Sequence, residues 1–202
     1  MKIIGHKLFH DPLYITVFED INNDVLTEQC YKIKDLSDGR IKTNIGGYQS
    51  NDIYEELVLE HELFEFQKLV DNIHTKLDHI SANYNTVKKL RISNIWVNIN
   101  SKNDFNNAHA HPHSWLSGSY YVKVPADCQS GIVFYRERSV VDYNLHRWLG
   151  ENNNGVFEST FKVYPEPGAD VTFPSYLQHR VEPNKSDENR ISIAYNTYPV
   201  DE

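Results

Sequence analysis

The sequence predicts a mainly β (α+β) jelly roll or barrel buttressed by one helix in its N-terminal half, and three observations carry that expectation. From residue 90 onward, short runs rich in β-branched and aromatic residues recur between Pro and Gly turns. Before them, Leu59, Leu63, Phe66, Val70, Ile73, Leu77 and Ile80 recur at intervals of four and three, one stripe of an amphipathic helix. Between the two lies Asn106-Asn107-Ala108-His109-Ala110-His111-Pro112-His113, where three of the ten histidines alternate just ahead of a strand-like run.

Taken in order, Pro12–Phe18 reads as a strand, and residues 25 to 53 read as loop-rich, with Asp38-Gly39 and Gly46-Gly47 as turn signals. The helix is expected from about residue 54 to 82, with Asp52 and Glu55 as a capping box. Its stripe is expected to pack on the outside of a sheet. Period-two strands follow at Leu90–Asn100, Ser117–Val124, Gly131–Tyr135, Thr160–Tyr164, Asp170–Phe173 and Arg190–Tyr195. The polar, Asn-rich interval near residues 139–157 reads as an insertion, with a lid as the open alternative.

Composition limits the function classes. At 202 residues with 40% hydrophobic content the chain can fill the core of one domain, residues 1–202. A net charge of −8 and no basic stripe disfavour a phosphate-backbone binder. Cys30 and Cys128 stand far apart without a CxxC partner, which argues for reduced thiols. No apolar run approaches a membrane span, so a soluble, cytoplasmic protein is expected. The oligomeric state is not legible.

An extended backbone throws residues i, i+2 and i+4 to one side, so His109, His111 and His113 can converge on one point. Imidazoles bind Fe, Zn, Ni and Cu, and a closely spaced pair is completed by a ligand that the fold brings from elsewhere. His179, where a Pro-marked turn after Phe173 leads into a second strand, is the candidate if the sheet closes into a barrel. Arg190 follows it, and period two places Ser192 on the same face. A guanidinium beside a hydroxyl suits a carboxylate held bidentately. On the strand before, Ser117, Ser119 and Tyr121 form a polar face opposite Tyr120, Val122 and Val124. Tyr121 is therefore a candidate hydrogen-bond donor to that carboxylate. Trp96, Asn98 and Asn196 are suggested near the cavity only by strand position and a family resemblance, and are assigned no role.

At these residues the chain resembles the Fe(II)/2-oxoglutarate-dependent oxygenases. His109-Ala-His111-Pro112, Leu116-Ser117-Gly118-Ser119-Tyr120-Tyr121, Phe173-Pro174-Ser175, His179-Arg-Val181 and Arg190-Ile-Ser192 look like a bacterial and phage family of that class, over residues 94 to 198. Asn44–Ser50 is a weaker match upstream.

The resemblance implies a double-stranded β-helix, cupin-like in shape, with a supporting region of about 1–89 and a metal-binding β-core of about 90–200. It makes His109 and His179 ligands of Fe(II), and Arg190 and Ser192 the grip on the co-substrate 2-oxoglutarate, with O2 as the other partner. His111 stands where most such enzymes have Asp or Glu. It is placed on the metal, with a position one shell out as the alternative, and His113 is assigned to surface or substrate contact. The implied activity is oxidation, chiefly hydroxylation, of an unidentified peptidyl residue or small molecule. A cupin-like metalloenzyme that does not use 2-oxoglutarate, or a non-catalytic jelly-roll binding module, are the rival readings.

Overall fold

Side-chain alternation sorts the strands into a helix-facing and a cavity-facing surface. The computed structural model describes residues 11–83, 88–136 and 160–201. Its strands are β1 (Tyr14–Val17), β2 (Asn44–Ile45), β3 (Tyr48–Gln49), β4 (Lys89–Asn100), β5 (Phe105–His109), β6 (Leu116–Lys123), β7 (Ile132–Tyr135), β8 (Thr160–Val163), β9 (Ala169–Pro174), β10 (His179–Val181) and β11 (Arg190–Val200). The helices are α1 (Asn23–Asp35), α2 (Glu55–Glu60) and α3 (Phe64–Asn83).

Two antiparallel sheets result, one in the order β1-β9-β6-β11-β4-β3 and one in the order β2-β5-β10-β7-β8. On the outer face of the first, Ile95, Val97 and Ile99 of β4 join Ile191, Ile193 and Tyr195 of β11 and the buried faces of the helices in the larger core. The inner face packs on the second sheet through a smaller core, in which Tyr121, Val171 and Phe173 meet Ile132, Phe134 and Val163. Period-two alternation thus assigns hydrophobic residues to both faces, as expected of strands covered on each side.

The chain crosses from one sheet to the other at Gly46-Gly47, because β2 pairs with β5 while β3 pairs with β4. Both glycines have positive φ, 64° and 62°. A Cβ on Gly46 would lie 2.0 Å from Asp104 Oδ1, so both space and backbone conformation call for glycine.

The helical region departs from expectation in two places. The single helix of residues 54–82 is broken into α2 and α3, with Glu62 in the left-handed region at φ 52°. Asp52 does not cap it; Tyr54 is the N-cap and makes no side-chain cap bond, while Asp52 pairs with Arg40. The stripe still packs as read for Phe66, Ile73, Leu77 and Ile80, but Leu59 is exposed. Residues 25–53 are also not all loop, since α1 occupies Asn23–Asp35. Asn22 caps it by accepting from the backbone N–H groups of Asp24 and Val25, and Leu26, Cys30 and Ile33 are its buried face. In turn α1 fixes the start of α3, where Gln29 Oε1 accepts from the Phe66 N–H at 2.8 Å.

One polar cluster is buried between α3 and the main sheet. The Lys76 ammonium pairs with Asp170 and donates to Thr172 Oγ1 at 2.6 Å and to the Tyr195 hydroxyl. The interval of residues 139–157, read as an insertion with a lid as the open alternative, falls outside the described residues. Among the described residues no helix is long and apolar enough to cross a membrane.

Candidate metal centre and its pocket

Strand pairing brings the histidines together. β5 and β10 are antiparallel neighbours in which His109 and His179 are register partners. His111 lies just past the end of β5, so a strand repeat does not place it. Its backbone N–H donates to the Ser175 carbonyl at 2.9 Å, in the turn that follows β9. One ligating nitrogen from each of His109, His111 and His179 lies within 4.8 Å of the other two. His113 is exposed with φ 73° and takes no part in the group, as the Pro112 turn implies.

Two of the rings have defined tautomers. His109 Nδ1 lies 2.7 Å from the Asn107 carbonyl, and His179 Nδ1 lies 2.9 Å from the Leu177 carbonyl. A carbonyl only accepts, so each Nδ1 carries the proton and each Nε2 keeps its lone pair. Burial lowers the pKa of all three rings. His179 is brought down to about 3 and His111 to about 4, with the adjacent His109 lowering both further. For His109 burial outweighs the opposing bond to Asn107. All three are neutral at pH 7, the form that binds a metal. Phe173 stands edge-on to His179 at 4.6 Å between ring centroids, and Phe134, itself packed edge-on against Phe173 at 4.8 Å, lies 6.0 Å from His179.

The histidines open onto a cavity of about 430 Å³ that Tyr121, Arg190 and Ser192 also line. Arg190 is 2% exposed. Its Nη1 donates to Ser130 Oγ and its Nη2 to Asn100 Oδ1 at 3.1 Å, while its Nε is buried with no partner among the described residues. Burial lowers its pKa. Ser192 is the register partner of Tyr121 across β11 and β6. Burial holds the Tyr121 hydroxyl at about 12, against the pull of Arg190 and a hydrogen bond with Ser119, so it is a neutral donor. Trp96, Asn98 and Asn196 line the same cavity. Ser130 and Asn100, which hold the guanidinium, carry no motif and were not legible in the sequence.

Comparison with known proteins places this geometry. Residues 94–196, just over half of the chain, match the model of a family described as "Putative 2OG-Fe(II) oxygenase". No curated protein sequence matches. Among solved structures, a prolyl-4-hydroxylase from Pseudomonas putida is similar at 11% identity, covering 91% of each chain, with a TM-score of 0.61. The viral collagen prolyl hydroxylase of Paramecium Bursaria Chlorella virus-1, in its 2OG complex, is similar at 16% identity, with a TM-score of 0.56 over 93% of this chain and 96% of that one. HygX from Streptomyces hygroscopicus, with nickel and 2-oxoglutarate bound, has 12% identity and a TM-score of 0.59 over 93% and 83%. At such identities the likeness establishes the fold, the double-stranded β-helix that the sequence predicts. With the family match covering the histidines, the tyrosine strand and the arginine strand alike, the chain belongs to the 2OG-Fe(II) oxygenase family, whose enzymes use iron(II) and 2-oxoglutarate.

Proposed function

We propose that this protein oxidises a C–H bond of its substrate, most simply by hydroxylation, with His109, His111 and His179 holding iron(II) and Arg190 the far carboxylate of 2-oxoglutarate. The observation that carries this reading is Arg190. Its guanidinium is buried, it makes no ion pair among the described residues, and it lines the cavity that the three histidines line. A buried cation without a counter-ion is costly, and an anionic ligand at that end would relieve it. Ser192 and Tyr121 offer hydroxyls beside it. A cupin-like enzyme that does not use 2-oxoglutarate gives no reason for that arginine, and a non-catalytic binding module has no need of the histidine group.

The donor set fits the metal. Three neutral imidazoles, two of them with Nε2 left free by their tautomer, suit a borderline divalent ion such as Fe(II). When bound, iron(II) with 2-oxoglutarate and O2 would supply the oxidising power, with succinate and CO2 as the co-substrate's products. The chain's residues bind and orient. Arg190 grips one end of the co-substrate, Tyr121 donates to the same carboxylate, and Phe134 and Phe173 exclude water behind His179. No side chain is needed as a general base.

The test is anaerobic titration of the protein with Fe(II) and 2-oxoglutarate. A visible metal-to-ligand charge-transfer band is expected, lost in His179→Ala and weakened in Arg190→Ala. Absence of 2-oxoglutarate binding by the iron-loaded wild type would overturn the reading.

A further inference from the structure

The cavity runs along the strands of the main sheet. Arg190, Ser192, Ala194 and Asn196 of β11 line it in turn, opposite Asn100, Asn98, Trp96 and Asn94 of β4. Arg190 and Asn196 therefore mark two ends roughly 20 Å apart, at ~3.3 Å per residue. Arg190 occupies one end, and the other holds a second charged group.

At the Asn196 end, Asp52 Oδ1 accepts from Arg40 Nη2 at 2.6 Å and from Asn94 Nδ2 at 3.4 Å. The Arg40 guanidinium lies 5.7 Å from the centroid of the Trp96 ring. Its Nε is buried and has no partner among the described residues. Lys42 lines the same cavity and makes no ion pair among the described residues. Trp96 also stands 6.1 Å from His111, ring to ring, so a molecule resting on the indole is beside the histidine group.

Charge completes the picture. In a chain of net charge −8, the cavity is lined, among the described residues, by three Lys or Arg side chains, Arg40, Lys42 and Arg190, against one carboxylate, Asp52. His111, where a carboxylate is usual, adds no negative charge. A concave site of one sign within a protein of the other concentrates ligands of opposite charge.

We propose that the substrate carries an anionic group, a carboxylate or a phosphate, that docks on Arg40 and Lys42 at the end of the cavity remote from Arg190, with its body against Trp96. This rests on the reading that 2-oxoglutarate takes the Arg190 end. The Arg40 guanidinium and the Lys42 ammonium, which has no ion-pair partner among the described residues, supply charge-assisted hydrogen bonds, and Asp52 holds the guanidinium on the indole while competing with the incoming anion.

The test uses the full chain loaded with Zn(II) and 2-oxoglutarate, titrated calorimetrically with benzoate, phenylphosphonate and the neutral benzamide. At least one anion is expected to bind about tenfold or more tightly than benzamide, and the stronger of the two identifies the headgroup. Arg40→Gln and Lys42→Gln should each weaken that anion several-fold, whereas Asp52→Asn should tighten it, which a purely structural ion pair would not do. Arg190→Gln should leave the anion in place and lower affinity for 2-oxoglutarate. The proposal is overturned if no anion binds in the millimolar range, if benzamide binds equally well, or if Arg40→Gln and Lys42→Gln leave anion affinity unchanged. Failure of the wild type to bind 2-oxoglutarate would instead remove the oxygenase reading, and that is read in the same titration series.

Discussion

His109 and His179 are cross-strand partners: they occupy one register position in the pairing of β5 with β10, and their ring centroids are 4.4 Å apart. A pair fixed by backbone hydrogen bonds is preorganised, whereas His111 reaches the group from beyond the strand end. Its ring lies 4.9 Å from that of His109 and 5.1 Å from that of His179. X-ray absorption of the iron-loaded protein is therefore expected to count three imidazoles, and two in His111→Ala. His111→Asp should retain the metal with a carboxylate in that position. Two imidazoles in the wild type would put water where His111 is assigned.

This arrangement shows why the site was largely legible and the helical region less so. Polar residues in period two, such as Ser117, Ser119 and Tyr121, have one economical placement, the interior of a closed sheet beside a hydrated site. His111, by contrast, depends on the turn carbonyl of Ser175, a contact with no local signature. The buried face of α1 spans only Leu26, Cys30 and Ile33, too short a stripe to stand out among the polar residues around it. The break between α2 and α3 interrupts the repeat by so little that Leu63 stays buried, and the spacing remains that of one continuous helix. Arg40 and Asp52 meet only through tertiary structure.

The histidines also set a pH dependence for the metal-free protein. His179 has a folded pKa of about 3, below the ordinary value of 6.5, because it is buried. Its contribution is complete above pH 6.5 and declines as pH falls toward 3, since the unfolded chain takes up a proton that the folded one refuses. By pH 5 that amounts to roughly 2 kcal/mol for this residue. Urea denaturation of the metal-free protein at pH 7.5 and pH 5 should show stability falling with acidity. His179→Gln should flatten the slope, and an unchanged slope would mean that the ring is solvated.

Lys76 and Asp170 tie α3 to the main sheet. Burial lowers the Lys76 pKa, and Asp170 opposes that shift. Removing either partner leaves a buried charge alone, so Lys76→Ala and Asp170→Ala should each cost about 3–5 kcal/mol. Lys76→Met combined with Asp170→Leu should be more stable than either single variant, because Thr172 and Tyr195 still satisfy each other at 2.8 Å. Equal or additive losses would show that packing, and not the orphaned charge, sets the cost.

Gly118 is fixed by that same cluster. It sits opposite Tyr195 in the pairing of β6 with β11, and a Cβ there would fall 2.2 Å from both Cζ and the hydroxyl oxygen of that ring. The ring has little room to yield, because its hydroxyl is bonded to Asp170 at 3.0 Å and to Thr172 at 2.8 Å. Gly118→Ala is therefore expected to destabilise by about 1–3 kcal/mol through overpacking. In Tyr195→Leu the obstructing hydroxyl and ring are gone, so adding Gly118→Ala to that background should cost much less than it does in the wild type. Urea denaturation of the four proteins completes the cycle. A coupling energy near zero would mean that β6 absorbs the methyl by shifting, and that the tyrosine is not what excludes a side chain at position 118.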